Sequence, residues 1–191
     1  MTEPPLTLEY ATAGTTCRSV LVTPPADVPT RGGVVVFPTW KGVEDFARGQ
    51  ATRLADLGYA ALAVDVYGEG RVAATDAEAA ELMQGLATDR ARLRARARAG
   101  LDQLADATGL GPERLGGIGF CFGGMAVLEL ARSGAAFAAA VSFHGFFNTP
   151  DPADAKQVKA SILAHHGTLD PLVPMDEVEG FRREMDAANV D

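Results

Sequence analysis

The sequence predicts an α/β fold, a three-layer sandwich in which a mostly parallel sheet carries helices on both faces. Short apolar, β-branched runs alternate with longer alanine-rich stretches, which is the pattern of successive strand-helix-strand units. The chain has 191 residues, of which 47% are hydrophobic, and a chain of this size can bury a sizeable core. We therefore expect residues 1–191 to form a single domain.

The first half of the chain predicts a pair of strands followed by one complete strand-helix-strand unit. Alternating polar and apolar residues indicate strands over residues 6–11 and 19–23, paired antiparallel at an edge of the sheet. The apolar run over residues 33–37 is typical of a central parallel strand. Apolar residues at helical spacing predict a helix over residues 44–57, which leads into a strand over residues 60–66.

The second half repeats the alternation of helix and strand. A long helical region over residues 75–107 is expected to break near residues 85–88 or at Gly100. Beyond it, the same criteria predict five elements, in the order strand 115–120, helix 121–132, strand 137–143, strand 160–164 and helix 176–188.

Charge and cysteine content narrow the classes of partner. The formal net charge of -8 at pH 7 opposes binding to nucleic acid or anionic lipid, which depends on a basic surface, so we expect a small-molecule partner. Cys17 and Cys121 are the only cysteines, and neither lies in a metal-binding spacing. We predict reduced thiols, a cytoplasmic location, and neither metal nor cofactor. The sequence has no signal-peptide pattern and no segment typical of a membrane helix.

The most informative segment is GIGFCFGG, residues 117–124. Gly119, Cys121 and Gly123 have the spacing of the nucleophile elbow GxSxG, with cysteine in place of serine. An elbow needs small residues on both sides of the nucleophile, because its sharp strand-to-helix turn brings neighbouring chains close together. Two alternatives stay open: Cys121 is a small buried hydrophobe, or the glycines bind a dinucleotide, although their spacing is one residue too long for that motif.

Two placements support nucleophilic chemistry. Cys121 would lie at a helix N-terminus, where the helix dipole favours a thiolate, and this predicts reactivity near neutral pH. Asp170 follows the strand over residues 160–164, at the edge where open α/β sheets keep their functional loops. The order of nucleophile and acid is that of α/β-hydrolases. The alternative is that Asp170 only begins a turn before Pro171.

Four segments, VVVFPTWKG, ALAVDVYGEG, GFCFGG and HGTLDPLVP, together resemble the dienelactone hydrolase family of α/β-hydrolases, and the similarity spans nearly the whole chain. The resemblance implies that Cys121 attacks an ester or lactone carbonyl to form an acyl-enzyme, with Asp170 as the orienting acid. It also implies an oxyanion hole formed by the backbone N–H groups of Phe122 and Trp40.

Two positions depart from the family's pattern. The family's glutamate in the loop after the third strand corresponds to Thr39, and Glu44 lies too far along the chain to replace it directly. The family's catalytic histidine follows a further strand, and we expect both to lie beyond Asp191, so that the strand before them forms an exposed edge. The three histidines of this chain are expected to be loop or core residues rather than the general base: His144, His165 and His166.

The remaining candidates are weaker. Four residues near strand ends are predicted to line a substrate pocket: Thr39, Tyr67, Arg71 and His144. Five arginines at every second position over residues 90–98 would spread around a helix, and we expect a solvated face paired with acidic residues.

Three functions stay open. The first is an ester or lactone hydrolase, and the second is a non-catalytic α/β-hydrolase scaffold that binds a partner. The third is thiol redox or peroxide sensing at Cys121, for which no resolving cysteine lies nearby in the sequence. For any of them we expect a monomer or a weak homodimer.

Overall fold

The computed structural model describes residues 4–191 and contains a seven-stranded sheet in that range. The strands are β1 Leu6–Thr12, β2 Thr15–Val22, β3 Gly32–Phe37, β4 Tyr59–Ala63, β5 Leu115–Phe120, β6 Ala139–Phe143 and β7 Ser161–His165. The helices are α1 Asp45–Asp56, α2 Asp76–Ala87, α3 Arg90–Thr108, α4 Phe122–Arg132 and α5 Met175–Ala187.

The strand order is β1-β2-β4-β3-β5-β6-β7. Strands β1 and β2 are antiparallel to each other, and β2 is antiparallel to β4, whereas the neighbouring pairs from β4 to β7 are parallel. The mostly parallel sheet and its antiparallel opening pair are therefore confirmed. Because the carboxyl ends of parallel strands share one edge of the sheet, the loops after β3, β4, β5, β6 and β7 meet there.

Helices cover both faces, as the sequence predicts. Helix α1 packs on one face with its buried alanines Ala47, Ala51 and Ala55 against the valines and alanines of β2, β3 and β4. Helices α3, α4 and α5 contribute to the larger core on the opposite face. Small residues on α1 allow the helix to approach the sheet closely, while the larger core takes most of the leucines and aromatic residues.

Strand β2 begins at Thr15 rather than at residue 19, and two aspartates explain where β4 ends and why the long helical region breaks within its predicted range. Strand β4 ends at Ala63 rather than at residue 66, because the carboxylate of Asp65 accepts hydrogen bonds from the backbone N–H groups of Arg18, Gly68 and Gly70 and fixes a turn there. The long helical region breaks after residue 87, where the side chain of Asp89 caps α3.

Gly100, the alternative position of that break, lies inside α3. A Cβ at Gly100 would come within 2.7 Å of the side chain of Val64, so the glycine allows α3 to lie close to the end of β4. The long helix therefore needs a small residue here for packing and has no break.

A buried ion network joins α3, α4 and α5. Glu129 of α4 is fully buried and accepts from Arg94 of α3 at 2.7 Å and from Arg132 at 3.2 Å. Arg94 also pairs with Asp154 at 2.6 Å, and Arg132 pairs with Glu184 of α5 at 2.8 Å. Buried charges are tolerated only when they are paired and hydrogen-bonded, so this network fixes how three helices pack.

The expectation that the arginine run forms a solvated face is wrong for most of its members. Arg92 and Arg98 are exposed and pair with nearby aspartates. Arg90 and Arg96 are buried, and Arg94 belongs to the buried network. Spacing of two residues on a helix turns successive side chains by about 200°, so one run reaches both the core and the solvent.

Strand β7 forms one edge of the sheet within residues 4–191. Leu163 is 52% exposed, and the backbone N–H of Ile162 donates to the carbonyl oxygen of Asp191 at 2.6 Å. On the same face as α1, the rings of Phe120, Phe143 and His165 stack in a row across β5, β6 and β7. In the described range, every helix is too short or too polar to cross a lipid bilayer.

The buried network predicts a large difference between two charge-neutralising substitutions. Glu129→Gln leaves Arg94 and Arg132 without their shared charge partner and is expected to lower the free energy of unfolding by about 3–5 kcal/mol. Asp102→Asn, which neutralises the exposed partner of Arg98, is expected to change it by about 0.5 kcal/mol or less. Urea denaturation measures both, and equal effects would contradict a structural role for the network.

Candidate active site

Cys121 lies at the turn between β5 and α4, with backbone angles φ 55° and ψ -118°. A positive φ is unfavourable for a residue with a Cβ, so the neighbouring structure must hold it. The N–H of Cys121 donates to the carbonyl oxygen of Phe143 at 3.0 Å, and its carbonyl oxygen accepts from Gly124 at 2.9 Å. These bonds tie the turn to β6 on one side and to α4 on the other.

Three glycines make this turn possible. A Cβ at Gly119 would lie 1.9 Å from the carbonyl oxygen of Gly123, and a Cβ at Gly123 would lie 2.3 Å from that of Phe37. A Cβ at Gly124 would meet the hydroxyl of Ser142 at 2.6 Å and the backbone of Gly145 at 2.7 Å. The elbow geometry expected from the sequence is present, and backbone atoms on three sides exclude any larger residue.

The thiol of Cys121 is partly buried. Burial raises its pKa above the ordinary value, a backbone hydrogen bond from Phe122 acts in the opposite direction, and the negative charge of Asp170 raises it further. Desolvation therefore acts against the thiolate that the sequence predicts near neutral pH. Burial raises the pKa of the fully buried Cys17 to about 11.

Asp170 lies in the loop after β7, close enough for its charge to act on Cys121. Its Oδ1 accepts from the backbone N–H groups of Leu172 at 2.8 Å and Val173 at 3.1 Å. These hydrogen bonds lower the pKa of Asp170, and the nearby His166 and His144 act in the same direction. The turn that the sequence offered as an alternative is present, and the charge of the same carboxylate also acts on Cys121.

The three histidines of the chain have other contacts. His166 Nε2 shares a hydrogen bond with the carbonyl oxygen of Val173 at 2.8 Å, and its ring packs edge-on against Phe147. His165 is exposed and stacks on Phe143. His144 is exposed with φ 42°. Among residues 4–191, no histidine is hydrogen-bonded to Cys121 or to the carboxylate of Asp170.

Tyr67 contacts both residues that are predicted to form the oxyanion hole, Trp40 and Phe122. The Tyr67 hydroxyl donates to the carbonyl oxygen of Trp40 at 2.8 Å, and the Tyr67 ring stacks on Phe122 with centroids 6.0 Å apart. The loop after β3, which carries Trp40, also supplies the carbonyls that approach Gly123. The backbone of Trp40 is therefore anchored beside the first turn of α4.

Thr39 and Arg71 have contacts that the sequence did not suggest. The Thr39 hydroxyl donates to Glu44 Oε1 at 3.2 Å, so the fold brings a carboxylate to Thr39 from five residues further along the chain. Glu44 is not among the groups that shift the pKa of Cys121. Arg71 is exposed and lines a second cavity with Tyr67 and Arg96.

The cavity that adjoins the elbow has lining residues that sequence reasoning missed. It measures about 270 Å³ and lies between α2, the start of α3, the first turn of α4 and the loop after β6. Phe122, Met125 and Phe146 line it together with Arg90. None of the four pocket candidates, Thr39, Tyr67, Arg71 and His144, lines this cavity. A buried arginine at helix position 90 has no signal in the sequence, because its neighbours are equally basic.

The described residues contain no cluster of three or more histidine, cysteine, aspartate or glutamate side chains that could hold a metal ion.

Comparison with known proteins finds a family model that matches most of the chain and solved structures with a very similar fold. The family model described as "Dienelactone hydrolase family" matches residues 17–191. The solved structure named "m3DLH" is 40% identical, with a TM-score of 0.93 over 100% of this chain and 79% of that one. A dienelactone hydrolase-like promiscuous phosphotriesterase from metagenomic libraries is 38% identical, with a TM-score of 0.92 over 98% of this chain and 78% of that one.

A curated relative from Bradyrhizobium is named "Probable 2-oxo-3-(5-oxofuran-2-ylidene)propanoate lactonase". It is 28% identical over 162 residues, which are 80% of this chain and 64% of the relative. The chain therefore spans less than two thirds of the length of that protein.

The elbow geometry predicts opposite effects for two glycine-to-alanine substitutions. Gly119→Ala places a methyl group against a backbone carbonyl that cannot move independently, and we expect a loss of about 4 kcal/mol or more of unfolding free energy. Gly49→Ala in α1 meets no atom within 4 Å and is expected to stabilise the protein by about 0.5–1 kcal/mol. Thermal and urea denaturation measure both, and a well-folded Gly119→Ala variant would contradict the geometry.

The charge of Asp170 predicts a shift in the pH profile of Cys121. Alkylation by iodoacetamide follows the thiolate, so its rate is expected to rise with a midpoint above about pH 8.5, the usual cysteine range. Asp170→Asn removes a negative charge that raises the pKa of Cys121, so the midpoint should move to lower pH. Asp106→Asn, an exposed position on α3, serves as the control. Identical midpoints in the three proteins would show that Asp170 does not act on the thiol.

Proposed function

The chain belongs to the dienelactone hydrolase family, and from that premise we propose that it hydrolyses carboxylic esters or lactones through an acyl-enzyme on Cys121. The observation that carries the proposal is the backbone of Cys121, held at φ 55° by three glycines at the end of a central strand. A strained turn of this kind presents a nucleophile at the edge of the sheet where substrates of α/β enzymes bind.

The first chemical step is attack of the Cys121 thiolate on the carbonyl carbon. The new C–S bond forms a tetrahedral oxyanion, and collapse of that intermediate breaks the C–O bond to the leaving oxygen. The proton lost by the thiol ends on that oxygen, so that an alcohol leaves. Water then attacks the thioester, restores the thiol and releases the carboxylic acid. In a lactone the leaving alcohol stays joined to the acyl group, so the product is a single hydroxy acid.

The oxyanion is proposed to accept hydrogen bonds from the backbone N–H groups of Phe122 and Trp40. The backbone N–H of Phe122 lowers the pKa of Cys121, which supports its role as a donor beside the sulfur. The Tyr67 hydroxyl donates to the Trp40 carbonyl oxygen, in the peptide that follows the proposed donor, and so anchors the same residue. Preorganised donors of this kind are worth about 100- to 1,000-fold in rate.

Asp170 is proposed as the acid that orients a protonated base. Its Oδ1 accepts hydrogen bonds from two backbone N–H groups, which hold the carboxylate in place and favour its ionised form. Because the pKa of Cys121 is raised, the thiol needs a base for efficient attack at neutral pH. A general base is worth about 100- to 10,000-fold per step.

One observation favours the second candidate, a non-catalytic scaffold of the same fold. Within the described residues, the imidazoles of His144, His165 and His166 make no hydrogen bond to the thiol or to Asp170. A chain that folds as an α/β-hydrolase but does not acylate would serve as a binding protein.

The lactonase name of the Bradyrhizobium relative supports a lactone as the substrate class. We propose a small-molecule substrate and, from composition, a cytoplasmic monomer or weak homodimer that forms a single domain.

Acylation of Cys121 is tested by mass spectrometry of the intact protein after mixing with p-nitrophenyl acetate. We expect one acetyl adduct in the unmodified chain and in Cys17→Ala, because Cys17 is fully buried, and no adduct in Cys121→Ala. If hydrolysis of the acetyl-enzyme proceeds without a general base, the acetyl group is expected to be released slowly.

Circular dichroism of each variant controls for folding. If the folded chain forms no adduct, or forms it equally in Cys121→Ala, the acyl-enzyme proposal is wrong and the scaffold becomes the better description.

A further inference from the structure

The second cavity lies between the loop after β4, α2 and α3. It measures about 290 Å³ and shares no lining residue with the cavity beside the elbow. Arg71 of the loop lines it together with Arg92 and Arg96 of α3. Among the described residues that line this cavity, Glu81 of α2 is the only one with an acidic side chain. The wall therefore has three positive charges and one negative charge.

Arg96 is a buried cation in this wall. The residue is only 8% exposed, and its Nη1 donates to the carbonyl oxygens of Val66 and Tyr67 at 2.8 Å each. Its Nε is buried and has no hydrogen-bond partner in the described chain. Burial lowers the pKa of Arg96, and the positive charges of Arg92 and Arg71 act in the same direction. A buried guanidinium of this kind is stabilised by an anion that accepts its remaining hydrogen bonds.

Two of the three guanidinium groups lack a carboxylate partner. Arg92 pairs with Asp89 at 3.0 Å, but within residues 4–191 neither Arg71 nor Arg96 forms an ion pair. The charge of Asp65 acts on Arg96, but this carboxylate already accepts three backbone hydrogen bonds. Clefts lined by charges of one sign attract ligands of the opposite sign, so the expected ligand is an anion.

The loop that carries Arg71 is held at both ends. Arg96 fixes its first residues through the two carbonyl oxygens, and an antiparallel bridge between Gly42 and Val72 joins its far end to the loop after β3. A Cβ at Gly42 would lie 2.4 Å from the carbonyl oxygen of Arg71, so the two loops are in close contact. Fixed walls lose less conformational freedom when a ligand binds, and the cavity is preorganised in this sense.

We propose that this cavity binds a phosphoryl group, with its oxygens held by Arg71, Arg92 and Arg96. Guanidinium groups bind phosphate oxygens through paired N–H donors, and a phosphoryl dianion offers them three oxygens and two negative charges. A carboxylate has one charge and two oxygens and satisfies fewer donors. Leu82 and Leu86 give the cavity an apolar side. The ligand is therefore inorganic phosphate or a phosphate ester of a small alcohol, and the phosphoryl dianion is common to both.

Phosphoryl binding at this cavity is independent of the proposed ester hydrolysis, because it requires no reaction at Cys121. The binding experiments are therefore carried out on the unmodified chain and on Cys121→Ala, and equal affinities are expected. A chain that binds phosphate but is not acylated would lose the proposed function alone.

The first experiment measures the affinities of phosphate, phenyl phosphate and acetate by isothermal titration calorimetry. Sodium chloride keeps the ionic strength constant, so that screening of surface charges does not differ between titrations. We expect a single saturable site for both phosphoryl ligands and weaker binding of acetate. Arg71→Gln should weaken phosphate binding about 10- to 100-fold, the range that a hydrogen bond to a charged group supplies. Arg53→Gln removes an exposed arginine from α1, on the opposite face of the sheet, and should leave the affinity unchanged.

Two charge changes in the wall predict opposite effects. Glu81→Gln removes the negative charge that repels the ligand and should tighten phosphate binding about 3- to 10-fold. Gly85→Glu adds a negative charge at a lining position where a Cβ meets no atom within 4 Å, and it should weaken binding by a similar factor. Gly85→Ala is the matched control and should keep the affinity. A general loss of stability cannot change the affinity in both directions.

NMR tests whether the buried arginine contacts the ligand. The Nε–H resonance of Arg96 is assigned by its loss in Arg96→Lys, and phosphate is expected to shift it. Because Arg96 also holds the loop after β4, this variant serves for assignment alone. The affinity measurements depend instead on the exposed residues Arg71 and Glu81.

The two phosphoryl ligands distinguish the sources of the group. Tighter binding of phenyl phosphate than of phosphate identifies an ester as the ligand, whereas equal or weaker binding identifies free phosphate, and both results support the site. Four results overturn the inference: no saturable binding of either phosphoryl ligand, acetate binding as tight as phosphate binding, an affinity that Arg71→Gln leaves unchanged, or an Arg96 resonance that phosphate does not move.

Discussion

The close approach of three backbone segments around Gly119, Gly123 and Gly124 is the constraint on which the rest of the site depends. The end of β5, the loop after β3 and the first turn of α4 come so near to one another that a Cβ on any of these glycines would overlap backbone or side-chain atoms. That crowding holds Cys121 at a positive φ directly before the N-terminus of α4. Any variant that loosens the crowding should therefore lose the orientation of the thiol before it loses the sheet.

The buried ions extend this constraint through the helical layer. Glu129 lies two turns beyond Cys121 on α4 and connects that helix to α3 through Arg94, while Arg132 connects it to α5. Ion pairs of this depth add little net stability over apolar packing, but removing one member leaves a buried charge. Their effect here is to fix the position of α4, and thereby the wall of the cavity that Phe122 and Arg90 line.

Burial at the elbow has an opposite effect on two groups. It raises the pKa of the Cys121 thiol, which leaves less of the reactive thiolate at neutral pH. It lowers the pKa of Arg90, because burial disfavours the charged form of the guanidinium. Asp170 stays exposed enough to remain ionised and adds to the first effect. The site therefore combines a thiol that needs a base for attack at neutral pH with a buried guanidinium whose Nε has no hydrogen-bond partner in the described chain.

The sequence by itself determined the order of strands and helices, the family, and the elbow, because each of these follows from local periodicity or from a fixed spacing such as Gly119-x-Cys121-x-Gly123. It also placed Asp170 correctly after β7. The tertiary structure decided what depends on neighbours distant in the chain. Only packing shows that Arg90 of the arginine run lines a cavity and that Glu44 is hydrogen-bonded to Thr39. Only packing shows, too, that desolvation raises the pKa of Cys121. Burial and charge compensation are properties of the assembled layers, and no local pattern encodes them.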